Sequence, residues 1–243
     1  MMQEHSLTTA RTARYFTLGT PNQARDVWFV CQGYGQLAAR FLERFRFLET
    51  AGEGRCFVAP EGLSRFYLSE DPGERRVGAS WMTREDRLHE IDDYVRYLDA
   101  VYAAVAPGNS RVSALGFSQG TATVSRWAAL GTSRIDRLVL WGGEVPPDLD
   151  LARLRVPKLV LVYGTRDEFF TPKVVAANEA RLREQHISYE RVSFDGAHAL
   201  DDQEADRRLP GSDLIALDRL LDAGVRVQGG DRALDHPKCE VAP

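Results

Sequence analysis

Ser118 is the residue from which the chemistry of this chain is best read. It lies in Gly116-Phe117-Ser118-Gln119-Gly120, after the apolar run 111–115 and before 121–130, a stretch of small residues and good helix formers. Gly131 follows, where a helix cap is expected. A Gly-x-Ser-x-Gly between a strand and a helix is a turn so tight that glycine is needed on both sides. It lifts the serine hydroxyl out of the sheet. A hydroxyl is a weak nucleophile at neutral pH and needs a base within hydrogen-bond reach. The base needs a carboxylate to fix its tautomer and to stabilise the cation it becomes. The expected chemistry is acyl transfer to serine.

Sites in open α/β sheets lie at the carboxyl ends of strands, so the partners of Ser118 are sought there. Asp167, in Tyr163-Gly164-Thr165-Arg166-Asp167-Glu168, follows the apolar run 158–163; Glu168 is the alternative acid, one residue further on. Of the five histidines, His5 precedes the fold, His89 and His186 fall in helical patterns and His236 is in the tail. Only His198, in Gly196-Ala197-His198, follows a strand pattern beyond Asp167. Serine, acid and base then occur in the chain order that an elbow serine of this kind takes. The developing oxyanion needs N–H donors. The backbone N–H of Gln119 is one candidate. Tyr34, in Gln32-Gly33-Tyr34-Gly35-Gln36, is the other, because its flanking glycines let the backbone approach closely.

These residues need a scaffold. Residues 27–31, 55–59, 111–115, 137–141, 158–163 and 188–194 read as strands, several apolar nearly throughout, as parallel strands covered on both faces are. A further strand is expected around 14–18. Between them, 37–48 carries Leu37, Phe41, Phe45 and Leu48 on one helical face. Residues 84–105 carry Leu88, Ile91, Val95, Leu98, Tyr102 and Val105. Pro107-Gly108 ends that helix, Pro172 starts one running to 185, and Ser212 and Asp213 cap a last helix to 221. Alternating strands and helices predict an α/β fold with a mostly parallel sheet flanked by helices. The 141–158 connection is too short for a separate cap domain. The long insert is 60–83, and its Phe66, Tyr67, Trp81 and Met82 are candidates for lining a substrate pocket.

Composition sets outer limits. The 243 residues carry a net charge of −4, with 44% hydrophobic and 27% charged residues. That is ordinary for a globular chain and gives no electrostatic reason to expect a nucleic-acid partner. One domain over 1–225 with a flexible tail over 226–243 is expected. No stretch has the length of a membrane span and no leader pattern is visible, so the expected location is cytoplasmic. The three cysteines read as free thiols, Cys31 and Cys56 buried in strands. No Cys/His/carboxylate cluster has metal-ligand spacing, and 33–35 lacks both the third glycine of a dinucleotide fingerprint and a phosphate-loop lysine. No metal and no cofactor is expected, and nothing excludes a homo-oligomer.

Gly116-Phe117-Ser118-Gln119-Gly120, Gly164-Thr165-Arg166-Asp167 and Gly196-Ala197-His198 together resemble the phospholipase/carboxylesterase branch of the α/β-hydrolases, over roughly 27–200. That branch includes small bacterial carboxylesterases and acyl-protein thioesterases. The resemblance implies a compact serine hydrolase without a large cap, carboxylesterase- or lysophospholipase-like, acting on a small acyl ester through an acyl-enzyme. It implies Ser118 as nucleophile, Asp167 as acid, His198 as base and backbone donors at Tyr34 and Gln119. An acyl thioesterase with the same triad, or a non-catalytic binding protein of the same fold, are the alternatives. One departure stands out: the branch usually carries His-Gly before the oxyanion residue, and this chain has Gln32-Gly33.

Overall fold

The computed structural model describes residues 1–48, 54–71, 73, 75–106 and 108–200. The strands are β1 (Tyr15–Leu18), β2 (Asp26–Cys31), β3 (Arg55–Pro60), β4 (Ser64–Tyr67), β5 (Val77–Ser80), β6 (Arg111–Phe117), β7 (Arg137–Trp141), β8 (Leu159–Gly164) and β9 (Glu190–Phe194). Seven of them form one sheet in the order β1-β3-β2-β6-β7-β8-β9, and β4 and β5 pair separately. Only β1 runs antiparallel in the main sheet. All other neighbours there pair parallel, so crossovers return each chain over the sheet face.

Strand residues alternate between the two faces, and each face carries its own core. On one, Phe29, Ala114, Leu140 and Leu161 pack under α2 (Arg87–Val105), α3 (Gln119–Leu130) and α4 (Pro172–Glu184), which contribute Leu98, Trp127 and Leu182. On the other, Val30, Leu115, Val139 and Val162 pack under α1 (Ala38–Leu42) with Phe41 and Phe45. Central strands β7 and β8 are buried at every residue. This two-sided cover is what their unbroken apolar runs predict.

Three sequence expectations are corrected. The helix expected over 37–48 is α-helical only to Leu42 and then tightens into 3-10 geometry over Glu43–Leu48. Phe41, Phe45 and Leu48 still reach the core. The helix expected from 84 begins at Arg87, and Leu88, in its first turn, is 71% exposed and outside the buried set of Ile91, Tyr94, Val95, Leu98, Val101 and Val105. The insert 60–83 is not a plain loop: β4 and β5 make an antiparallel hairpin, with Ser64 opposite Ser80 and Tyr67 opposite Val77. Gly131 does cap α3, but in an extended conformation. Glycine is required there by crowding, since a Cβ would lie 2.7 Å from the Trp127 ring. Cys31 and Cys56 are both buried, and burial pushes the Cys31 thiol pKa well above its usual range. The helix expected from 212 to 221, the tail 226–243 and His236 lie outside the described residues.

Candidate active site

The elbow is built from close backbone approaches. Ser118 has φ 52° and ψ −117°, a strained conformation for a residue with a side chain. Its N–H donates to Trp141 O at 3.0 Å, and its carbonyl accepts from Thr121 Oγ1 at 2.7 Å. A Cβ on Gly116 would lie 2.2 Å from Gly120 O, and one on Gly120 would lie 2.2 Å from Cys31 O. The first turn of α3 therefore rests directly on β6 and β2. Glycine at both positions is a steric necessity.

Two loops from the far half of the sheet meet the serine. His198, four residues past β9, brings Nε2 to 3.1 Å from Ser118 Oγ. Its Nδ1 lies 2.9 Å from Asp167 Oδ2, on the turn after β8. Asp167 has a 1% exposed side chain, and its other oxygen accepts the N–H groups of Phe169 and Phe170, both at 2.9 Å. Both carboxylate oxygens are thus committed, one to the loop and one to the imidazole. Glu168 points to solvent, and the structure brings Asp167, not Glu168, to His198. The imidazole stacks on Phe170 at 5.8 Å and 20° and meets the edge of Phe169 at 4.8 Å. Phe117 lies 5.3 Å away on another side. Gly142, with φ +57°, leaves the space in which the ring sits: a Cβ there would be 3.1 Å from His198 Cε1.

Beside Ser118, Gly33 to Gln36 form a turn closed by Gln36 N–H to Gly33 O at 3.3 Å. Gly35 has φ +76°, as the third residue of such a turn requires. Tyr34 occupies the second position, and its N–H has no acceptor among the described residues. Gln119 is the first residue of α3, where a helix leaves its N–H without an internal partner. These are the two donors the sequence singles out. The turn is itself fixed by side chains. Gln36 Oε1 accepts from Gly33 N–H at 2.9 Å, and the Trp81 indole donates to Gln32 O at 2.9 Å. Gln32 is fully buried. With its amide oriented to satisfy both ends, Nε2 donates to Pro60 O at 3.1 Å and Oε1 accepts from Gly62 N–H at 2.9 Å. Gln32 therefore has a structural task, tying the donor turn to the base of the hairpin.

The four aromatic or sulfur side chains expected to line a pocket have separate fates. Phe66 is half-buried against the Tyr34 ring, 5.2 Å between centroids, and Tyr67 is exposed. Trp81 belongs to the core: it is 1% exposed and meets Tyr94 edge-on at 6.2 Å. Its indole N–H is spent on Gln32, so its apolar body has no face left for a ligand. Met82 is half-buried against the same core, and its sulfur lies 3.4 Å from an Arg126 nitrogen. Sequence reasoning missed Phe169 and Phe170 as the walls around His198, although two adjacent phenylalanines just after the acid were a visible signal. It also missed the Gln119 side chain, which reaches the hairpin. Among the described residues, no group of three or more His, Cys, Asp or Glu could hold a metal, and no helix is long and apolar enough to cross a membrane.

No protein-family model matches the sequence, and no curated protein does. Solved structures do match. A carboxylesterase from Mesorhizobium loti superposes with TM-score 0.63 at 20% identity, over 90% of this chain and 99% of that one. Esterase PE8 gives 0.61 at 16%, over 87% and 99%. Zea mays acyl-protein thioesterase 2 gives 0.57 at 13%, over 80% and 95%. The chain has the α/β-hydrolase fold, an architecture it shares with these esterases and this thioesterase.

Proposed function

We propose that this chain is a serine hydrolase of carboxylic esters that works through an acyl-enzyme. The observation that carries the reading is the continuous line of hydrogen bonds from Asp167 Oδ2 to His198 Nδ1, 2.9 Å, and from His198 Nε2 to Ser118 Oγ, 3.1 Å. Ser118 Oγ attacks the acyl carbon as His198 Nε2 takes its proton, and Asp167 accepts the Nδ1–H and stabilises the imidazolium. The N–H groups of Tyr34 and Gln119 donate to the oxyanion. His198 then protonates the leaving alcohol, and it activates the water that releases the acid. Tyr34 and Phe66 on one side and Phe169 on the other offer apolar surface to the acyl and alcohol groups.

Labelling with a fluorophosphonate, read by intact mass, tests this directly. Wild type takes up one equivalent, Ser118→Ala takes up none, and ester turnover in the variant falls by about 10⁴-fold or more without loss of fold. Retained turnover in Ser118→Ala refutes the mechanism. Folded wild type that does not label favours a non-catalytic binding protein. The likeness to an acyl-protein thioesterase supports a second reading in which the acyl donor is a thioester; matched oxygen-ester and thioester substrates separate the two.

A further inference from the structure

The hairpin beside the site is joined to both oxyanion donors, and the join to one of them is a single side chain. The Gln119 amide uses both of its ends. Oε1 accepts from Trp81 N–H at 3.1 Å, and Nε2 donates to Met82 O at 2.8 Å and reaches Ser80 Oγ at 3.2 Å. Ser80 Oγ closes the group by donating to Met82 O at 2.9 Å. One residue earlier, β5 is bonded to the donor turn: Gly35 N–H to Ala79 O at 2.9 Å and Ala79 N–H to Gln36 O at 3.2 Å. The approach is so close that a Cβ on Gly78 would lie 2.4 Å from Gly35 O. The Trp81 indole adds the bond to Gln32 O, two residues before Tyr34.

We propose that the Gln119 side chain is a positioning residue for the oxyanion hole. It locks the end of β5 to the start of α3, and the hairpin then holds the Tyr34 N–H at a fixed separation from the Gln119 N–H. The inference rests on the hydrolase reading above. Its chemical requirement is an amide: a carboxylate cannot donate to Met82 O, and a thioether can neither donate to that carbonyl nor accept well from Trp81 N–H. Every substitution at Gln119 except proline keeps its backbone donor, so the side-chain variants used below test position alone.

The experiment compares wild type, Gln119→Met and, as a variant on the hairpin side of the same hydrogen-bonded group, Ser80→Ala. Removing an oxyanion donor outright costs about 100–1,000-fold, so a misplaced donor is expected to cost about 10-fold. Gln119→Met should lower kcat per labelled serine, the rate of fluorophosphonate labelling and the affinity for a trifluoromethyl ketone by that common factor of about 10, with KM changed less than about 2-fold. Ser80→Ala should shift the same three quantities in the same direction by a smaller factor, and it decides the matter if Gln119→Met does not fold. A fall in Tm with all three quantities unchanged overturns the inference and leaves the hydrolase reading intact. Wild type that neither labels nor hydrolyses an ester overturns both.

Discussion

Replacing Asp167 with asparagine separates the two tasks of that carboxylate, because the amide can perform only one of them. Oδ1 accepts from Phe169 N–H and Phe170 N–H, and Oδ2 faces His198 Nδ1. An asparagine that turned its oxygen to the histidine would set its NH₂ against two backbone donors. Leaving both unsatisfied would cost about 2–6 kcal/mol. The asparagine oxygen therefore stays with the two N–H groups, and the NH₂ faces the ring. His198 Nδ1 must then accept, and the one ring proton moves to Nε2, 3.1 Å from Ser118 Oγ. A nitrogen that already carries a proton cannot take one from serine. Turnover should fall by about 10⁴-fold, or about 5.5 kcal/mol of transition-state stabilisation. The fold should lose no more than about 1–2 kcal/mol, since the loop bonds survive. Steady-state hydrolysis of a chromogenic acetate ester, with urea denaturation of the same sample, measures both. Turnover within about 10-fold of wild type would refute the tautomer argument.

Two further perturbations probe the frame around the site. Gly120→Ala places a Cβ 2.2 Å from Cys31 O and 2.9 Å from Gln32 O, both backbone atoms. It should cost about 3 kcal/mol in denaturant melts and abolish serine labelling, and wild-type stability with full labelling would contradict the steric reading. Asp99, on α2, accepts from the Trp127 indole at 2.8 Å and from the backbone and hydroxyls of Thr132 and Ser133. Burial pushes its pKa up, but the bonds from Ser133, Thr132 and Trp127 outweigh that and hold it below the usual carboxylate range. A lowered folded pKa stabilises the fold above the unfolded value of about 4 and is lost as pH falls through the lowered value. Asp99→Asn should therefore lower Tm by about 3–6 °C at neutral pH and flatten the Tm profile on the acid side, as scanning calorimetry would record.

The residues around Ser118 were legible because each announces itself locally. Three glycine-marked turns stand at the carboxyl ends of three strands, two of them largely apolar, and chain order distinguishes His198 from the other histidines. The main sheet was legible for the same reason, since β7 and β8 are apolar at nearly every residue. The hairpin was not. Ser64-Arg65-Phe66-Tyr67 and Val77-Gly78-Ala79-Ser80 lack alternating apolar residues, and their pairing depends on the turn at 33–36 that they pack against. Trp81 misled for a related reason. An aromatic residue in a long insert looks available for a ligand, and only Tyr94 from α2 and Gln32 beyond β2 consume its surface and its donor. Leu88 fits a helical stripe but sits in the first turn of α2 and is exposed. Periodicity assigns a face, and only the tertiary packing decides whether anything covers it.

The division of the site between two halves of the sheet has a consequence for how the molecule fails. Ser118 and the two proposed donors, Tyr34 and Gln119, follow β6 and β2 beside the hairpin, where the backbones touch at the glycines. Asp167 and His198 arrive from β8 and β9. Among the described residues, β9 is the outermost strand on that side and shows a half-exposed, alternating pattern, whereas β7 and β8 are wholly buried. Outer elements open at lower free energy than central ones. Under gentle denaturation His198 should be lost from Ser118 while the central strands and the buried Trp127 and Trp141 remain native. Inactivation then runs ahead of unfolding, and half-maximal activity marks the detachment of one edge of the sheet.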